Sequence, residues 1–513
     1  MPHCVVAKRI FTALPLVAAM YTQAVASEVN TVPTTIRLTS ETLTLPANEK
    51  MGMLGGSMLF DVSDRVHVGV GSYGAVRGER GGFITLGVEG ELRQPLVDAW
   101  SARAGLFVGA GGGRGGYTLS GGGLMVRSDL GLVYDTRGLG NLGFGVSRVS
   151  FPSGTIASSQ AYVQYDYPFH TLLRSGWSTD TERSEPSFKP SLKLVNANVN
   201  ELVATSRLYK IPNSVVKDDG TPQHGRMQLM GVEWLSYLND RWFLKLESEG
   251  AMGGQSNGYM QILAGGGYRY ALSPAQAFKL YAAAGPAGGG GVDTGGGMLV
   301  DWGVAYQHAL SKNVLLELGL SELRAPSRSF VAQSLDLKLG YRYGTPAVSG
   351  ASVALGALAG FDASKLRVRV VDQTYHKASP NWRNRSLNDP VGNLGVQLDY
   401  FVSPTVFFTG QGLAAYRGDA GAYMTGQVGV GTQMPLSQRW YAEAEVLAGA
   451  AGGGGLAVGG GFVVQGNGSV GYRLSNAASL MATVGRMQSA SGGFKANVVG
   501  VSMAYQFTGY TSK

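Results

Sequence analysis

Cysteine is almost absent: Cys4 is the one in the chain. That excludes an internal disulfide and a thiolate metal site. Charge is thin as well. Asp, Glu, Lys and Arg supply 15% of the residues, and the net charge is +8. Over such a length this does not make a nucleic-acid surface. It reads as solvated loops around a mixed-charge interior. Long apolar runs are missing too. Beyond residue 26 the best is Ala351 to Phe361, too short for a helix that crosses a bilayer. Histidines are few and show no HxxxH spacing, and no GxSxG elbow occurs. The glycine runs lack the GxxxxGK[ST] pattern of a phosphate loop. No catalytic residue, metal or cofactor is therefore expected, and the chain is not read as an enzyme.

What is present begins with residues 1–26. Lys8 and Arg9 precede "IFTALPLVAAMY", and Ala24 to Ala26 offer small residues at the cleavage positions. This reads as a secretory signal peptide, cut before Ser27 and taking Cys4 with it. Its loss lowers the net charge to about +6.

Period-two alternation fills the rest. Leu124, Val126, Leu130, Leu132 and Tyr134 share one face, and Met125, Arg127, Asp129, Gly131 and Val133 the other. Leu335, Leu337, Leu339, Tyr341 and Tyr343 alternate with Ser334, Asp336, Lys338, Gly340 and Arg342. Strands of about ten residues with one apolar face suit a lipid-facing barrel wall. Aromatics gather at strand ends, at Tyr165, Tyr167 and Phe169, at Tyr341 and Tyr343, and at Tyr505 and Phe507. Interfacial girdles sit there.

The pattern repeats three times. Segments beginning at Leu59, Leu235 and Leu398 align almost without gaps. Each runs into a glycine bend, then "GGG" and an apolar strand: Gly121, Gly122 and Gly123; Gly295, Gly296 and Gly297; Gly459, Gly460 and Gly461. Glycine there leaves backbone room, for sharp sheet curvature or for close approach of another chain. The expected organisation is a module over 27–169, a linker over 170–185, a module over 186–344, a linker over 345–362 and a module over 363–513, with about eight strands per module. The first strand of the second module is placed on "SLKLVNANVN" from Ser191, and Glu201 to Arg226 reads as a long loop. Short turns alternate with longer loops that carry the glycine bends, so the bends face outward.

These features resemble Gram-negative outer-membrane β-barrel proteins as a class. "SMAYQF", ending on Phe507, is similar to their closing-strand signal, although a "TGYTSK" tail follows it. The resemblance implies an outer-membrane location and a fold that is all-β, an antiparallel transmembrane β-barrel. It carries over no functional residue.

Two closures are open. Linkers of about twenty residues favour three 8-stranded barrels on one chain. The small inward residues Gly500, Ser502, Ala504 and Gln506 fill a narrow barrel poorly and favour one 24-stranded barrel, the preferred expectation. Twelve charged residues are expected to face a lumen: Arg127, Asp129, Lys245, Glu247, Glu249, Asp336, Lys338, Arg342, Arg367, Arg369, Glu443 and Glu445. The preferred function is a pore or export channel, for a secreted polysaccharide or protein, gated by loops such as Glu201 to Arg226. The alternative is a non-conducting scaffold or surface-interaction protein with plugged barrels. Expected partners are outer-membrane lipid, the barrel-insertion machinery and a secreted polymer or periplasmic protein, and no nucleic acid.

Overall fold

Alternating side chains force each strand to present two unlike faces, and a closed sheet turns one inward everywhere. The computed structural model describes residues 28–177, 197–223, 225–348, 352–354, 358, 360–383 and 388–512. The expected signal peptide over 1–26 lies outside the described residues, as do 178–185 of the first linker and parts of the second.

After a short β1 (Glu28–Asn30), the first sheet consists of β2 (Val32–Thr44), β3 (Lys50–Ser63), β4 (Val66–Arg77), β5 (Ile84–Pro95), β6 (Trp100–Gly112), β7 (Leu124–Asp135), β8 (Asn141–Ser150) and β9 (Ala157–Thr171). A two-residue β10 (Arg174–Ser175) precedes the second sheet. That sheet holds β11 (Ala197–Lys210), β12 (Arg226–Tyr237), β13 (Trp242–Gly253), β14 (Met260–Ser273), β15 (Gln276–Gly288), β16 (Met298–Ala309), β17 (Val314–Arg324) and β18 (Val331–Pro346). Following β19 (Ser352–Ala354), the third holds β20 (Phe361–Lys377), β21 (Val391–Phe401), β22 (Val406–Arg417), β23 (Met424–Pro435), β24 (Trp440–Gly452), β25 (Phe462–Arg473), β26 (Ala478–Ser489) and β27 (Lys495–Ser512).

Every neighbouring pair is antiparallel, and each sheet closes on itself. β2 pairs with β9, β11 with β18 and β20 with β27. The single 24-stranded barrel expected above is thus corrected to three eight-stranded barrels, the alternative. The physical reason is visible inside the third barrel. Small residues on β27 leave volume, and the long side chains of Arg367 and Arg369 on the adjacent β20 fill it, both buried. A second correction concerns the second module. Its first strand is β11, so Glu201 to Lys210 belongs to the wall and the loop is confined to Ile211 onward.

Strands of ten to eighteen residues, tilted, cross an apolar band of roughly 25 Å. Their outer faces carry exposed leucines and valines such as Leu318, Leu335 and Leu337. Rings gather near the short turns: Trp100 with Tyr134, Trp242 with Tyr268 and Trp440 with Tyr472, all with centroids within 5.0 Å. These form interfacial girdles. No helix among the described residues is long and apolar enough to cross a membrane.

The barrels meet in a ring. The third strand of one abuts the fifth strand of the next: β4 against β15, β13 against β24 and β22 against β6. This is head-to-tail contact whose rotation closes after three steps. The repeated glycines make the joints. A Cβ on Gly123 would stand 2.1 Å from the Ala415 carbonyl oxygen, one on Gly297 2.3 Å from that of Ala75, and one on Gly461 2.2 Å from that of Ala251. Their φ values are 102°, 98° and 101°, which also requires glycine. Backbone bonds cross two joints, from Gly81 N–H to Gly295 O at 2.7 Å and from Gly421 N–H to Gly121 O at 3.0 Å. At the third, the Asn257 amide donates to Gly459 O at 2.5 Å.

Candidate functional sites within and between the barrels

The lumens are filled, and the filling is ionic. In the first barrel Arg37 on β2 reaches Glu89 at 2.9 Å and Glu91 at 2.6 Å, both on β5, and Asp166 on β9 at 2.7 Å. Arg103 joins Glu91 at 3.1 Å to Asp129 at 3.0 Å. Arg127 pairs with Glu41 at 2.9 Å and Asp129 at 2.5 Å, and its guanidinium lies over the rings of Tyr73 and Tyr162. Those rings close the space around the cation.

The second barrel is the most heavily charged. Arg207, with no exposed surface, sits among Asp301 at 2.9 Å, Asp336 at 3.4 Å, and Glu247 and Glu249 at 3.5 Å each. Lys279 on β15 spans the lumen to Glu201 on β11 at 2.7 Å and also pairs with Glu317. Lys245 and Lys338 share Glu233 at 3.1 and 2.7 Å, and Arg342 holds Glu201 at 2.6 Å. In the third barrel Arg367 on β20 crosses to Glu443 on β24 at 2.5 Å, and both Arg367 and Arg369 grip Asp399 at 2.7 Å. Arg369 also reaches Glu445 at 3.3 Å. Buried amides, among them Gln397, Gln433 and Asn467, bond these carboxylates.

Of the twelve expected lumen residues, eleven are buried and Arg342, partly exposed, bonds the buried Glu201; they divide among the three barrels. Arg127 and Asp129 lie in the first barrel. Lys245, Glu247, Glu249, Asp336, Lys338 and Arg342 lie in the second, and Arg367, Arg369, Glu443 and Glu445 in the third. Missing from the expectation are the two hubs, Arg37 and Arg207, and most of their partners. Arg37 was open to detection, since "TIRLTSETL" alternates around it.

Above each ionic layer, at the glycine end, an apolar cluster closes the mouth. It comprises Phe83, Leu119 and Phe151 with their neighbours in the first barrel, Ile211, Val215 and Phe330 in the second, and Trp382, Leu456 and Phe494 in the third. Ile211 and Val215 come from the loop expected to gate a pore. Its backbone ties to the barrel's own glycine hairpin through Asp218 N–H and Gly291 O at 3.0 Å. On the rim, Arg328 bonds Glu79 of the first barrel, and this bond holds the guanidinium above its ordinary value. No cluster of three or more metal-ligating side chains occurs among the described residues.

Between the barrels, on the ring axis, lies a chamber of about 4480 Å³. Equivalent strands of all three barrels wall it, through outward residues such as Leu38, Leu202 and Leu398. Gly82, Gly258 and Ala422, one from each barrel, separate it from a small cavity of about 250 Å³ among the glycine hairpins.

Closed antiparallel walls, an apolar belt, aromatic rims and buried internal charge define a transmembrane β-barrel protein of the Gram-negative outer-membrane type. The solved structures it is similar to are outer-membrane transporters and porins. The siderophore receptor PirA of Acinetobacter baumannii matches at 9% identity and a TM-score of 0.27, over 95% of this chain and 81% of that one. OpdQ of Pseudomonas aeruginosa matches at 9% identity and 0.21, over 94% and 99%. OccK11 (OpdR) of the same organism matches at 10% and 0.21, over 96% and 100%. No family model and no curated protein matches the chain.

Proposed function

We propose that the protein is a non-conducting scaffold of the outer membrane, three plugged barrels held as one ring that presents its glycine-rich loops to the outside. The observation that carries this reading is the double closure of every lumen, by ion pairs that span it and by an apolar cap above them. An eight-strand interior is just wide enough for its own side chains. It leaves no bore for a polymer, so export of a polysaccharide or protein is not assigned to these lumens. Insertion falls to the barrel-insertion machinery, and the short-turn face is the surface open to a periplasmic partner.

The ionic nature of the filling favours a second reading, a narrow ion path that opens when pairs such as Arg367–Glu443 exchange. Planar-bilayer recording of the folded chain separates the two. The scaffold predicts silence, in the native chain and in Glu443→Gln alike. Brief small steps that become longer or larger in Glu443→Gln would replace it with the gated path.

A further inference from the structure

The central chamber is at membrane depth, yet no described segment fills it. Its wall includes side chains of the kind that face lipid elsewhere on these barrels: Leu38 and Met58 from the first, Leu202 and Leu246 from the second, Leu398 and Phe408 from the third. They remain largely uncovered, Leu202 at 52% and Leu398 at 58% exposure. Apolar cavities that stay dry and empty measure about 150 Å³, and this one is roughly thirty times larger. Something must occupy it. Water against this much leucine and valine is unfavourable, whereas hydrocarbon is not.

No described segment of the chain supplies the filling. Residues 178–196 carry Asp180, Glu182, Arg183, Glu185, Lys189 and Lys193, unsuited to such a wall. The apolar linker around Leu358 packs on Leu172 and Tyr510 at the short-turn end and is far too small for the volume.

We infer that the chamber is a lipid site, filled by acyl chains of phospholipid from the periplasm-facing leaflet. The two ends of the chamber select that source. At the glycine end the backbone joints leave only the 250 Å³ cavity above Gly82, Gly258 and Ala422. A bulky glycolipid head cannot pass there. At the short-turn end the apolar cluster of Leu172, Leu358 and Tyr510 is interspersed with the polar Asn198, Ser403 and Thr511. Headgroups meet water and hydrogen-bonding partners on that side.

The inference rests on the membrane-spanning part of the proposed function and not on whether the lumens conduct. Native mass spectrometry of the full folded chain, extracted from membranes and exchanged through detergent, tests it. The expected spectrum shows a whole number of phospholipid masses retained at an activation energy that strips loosely bound lipid. Leu246→Trp fills part of the chamber and lowers that number by at least one. Leu318→Trp, on the outer belt at the same distance from a short turn, leaves it unchanged. Should Leu246→Trp not fold, Leu398→Trp takes its place. Bare protein mass, or retained lipopolysaccharide in place of phospholipid, overturns the inference. So does equal retention in the chamber and belt variants. Bilayer conductance would instead sink the scaffold reading and leave the lipid site standing.

Discussion

A barrel lumen and the chamber between barrels are enclosed by the same strands and share no chemistry. β13 shows both at once. Lys245, Glu247 and Glu249 point into a lumen packed with partners, while Leu244 and Leu246 point into a space of about 4480 Å³. Closure of a sheet makes the first space and closure of a ring of sheets makes the second. The inward set must satisfy its charges within a fixed radius, so it pairs across the lumen. The outward set is written for a fluid solvent and leaves the enclosed volume to whatever that solvent is. Enclosure alone therefore does not decide whether a protein cavity is filled by protein.

Five substitutions probe this contrast. Arg207→Leu strips the cation from Glu247, Glu249, Asp301 and Asp336. Breaking a buried ion pair costs about 3–5 kcal/mol, so the urea midpoint of the detergent-folded chain should fall steeply. A midpoint near that of the native chain would mean the lumen holds water in place of tight pairs.

Leu246→Arg and Leu318→Arg form a matched pair, one in the chamber and one on the belt. An arginine near the midplane of the lipid face costs about 2–4 kcal/mol. Equal penalties for the two are expected if hydrocarbon fills the chamber. A penalty for Leu318→Arg alone would show that water fills it.

Gly461→Ala places a methyl 2.2 Å from the Ala251 carbonyl oxygen. Such overpacking costs about 1–3 kcal/mol. It should loosen the joint between the second and third barrels, read as protease access to the loop over 453–461, with the lumens intact. The smallest effect belongs to Glu79→Gln, which breaks a half-exposed pair with Arg328. A shift of about 0–1 kcal/mol is expected, detectable only at low salt.

Much of the wall was legible in the sequence, because alternation is local. Leu335, Leu337 and Leu339 announce an outer face wherever they occur, and Asp336 and Lys338 an inner one. The number of strands per barrel was not legible. Alternation is identical for eight strands or twenty-four, and closure depends on whether β2 finds β9 or some other edge. The small residues of β27 misled because the volume they leave is taken by Arg367 and Arg369, more than a hundred residues earlier in the chain. Arg207 was missed for another reason. Around it the outward positions are Leu202, Ala204, Ser206 and Leu208, an alternation too weak to separate strand from loop. The glycine bends were legible as places of sheet curvature or of close approach of another chain, but their partners on neighbouring barrels of the same chain were not.

The joints are threefold and the lumens are not. Gly123, Gly297 and Gly461 share one backbone angle and one kind of contact, whereas among the described residues the lumen of the second barrel carries five paired cations and that of the third only two. In an assembly of identical subunits every change appears three times, so an interior must suit all copies at once. Linking the copies removes that constraint and raises their effective concentration for one another. Each interior is then at liberty to diverge, while the glycine joints keep the same backbone angle and the same close approach to a neighbouring carbonyl. The chain thus keeps the geometry of a trimer with three independent interiors, and a new activity in one barrel need not disturb the other two.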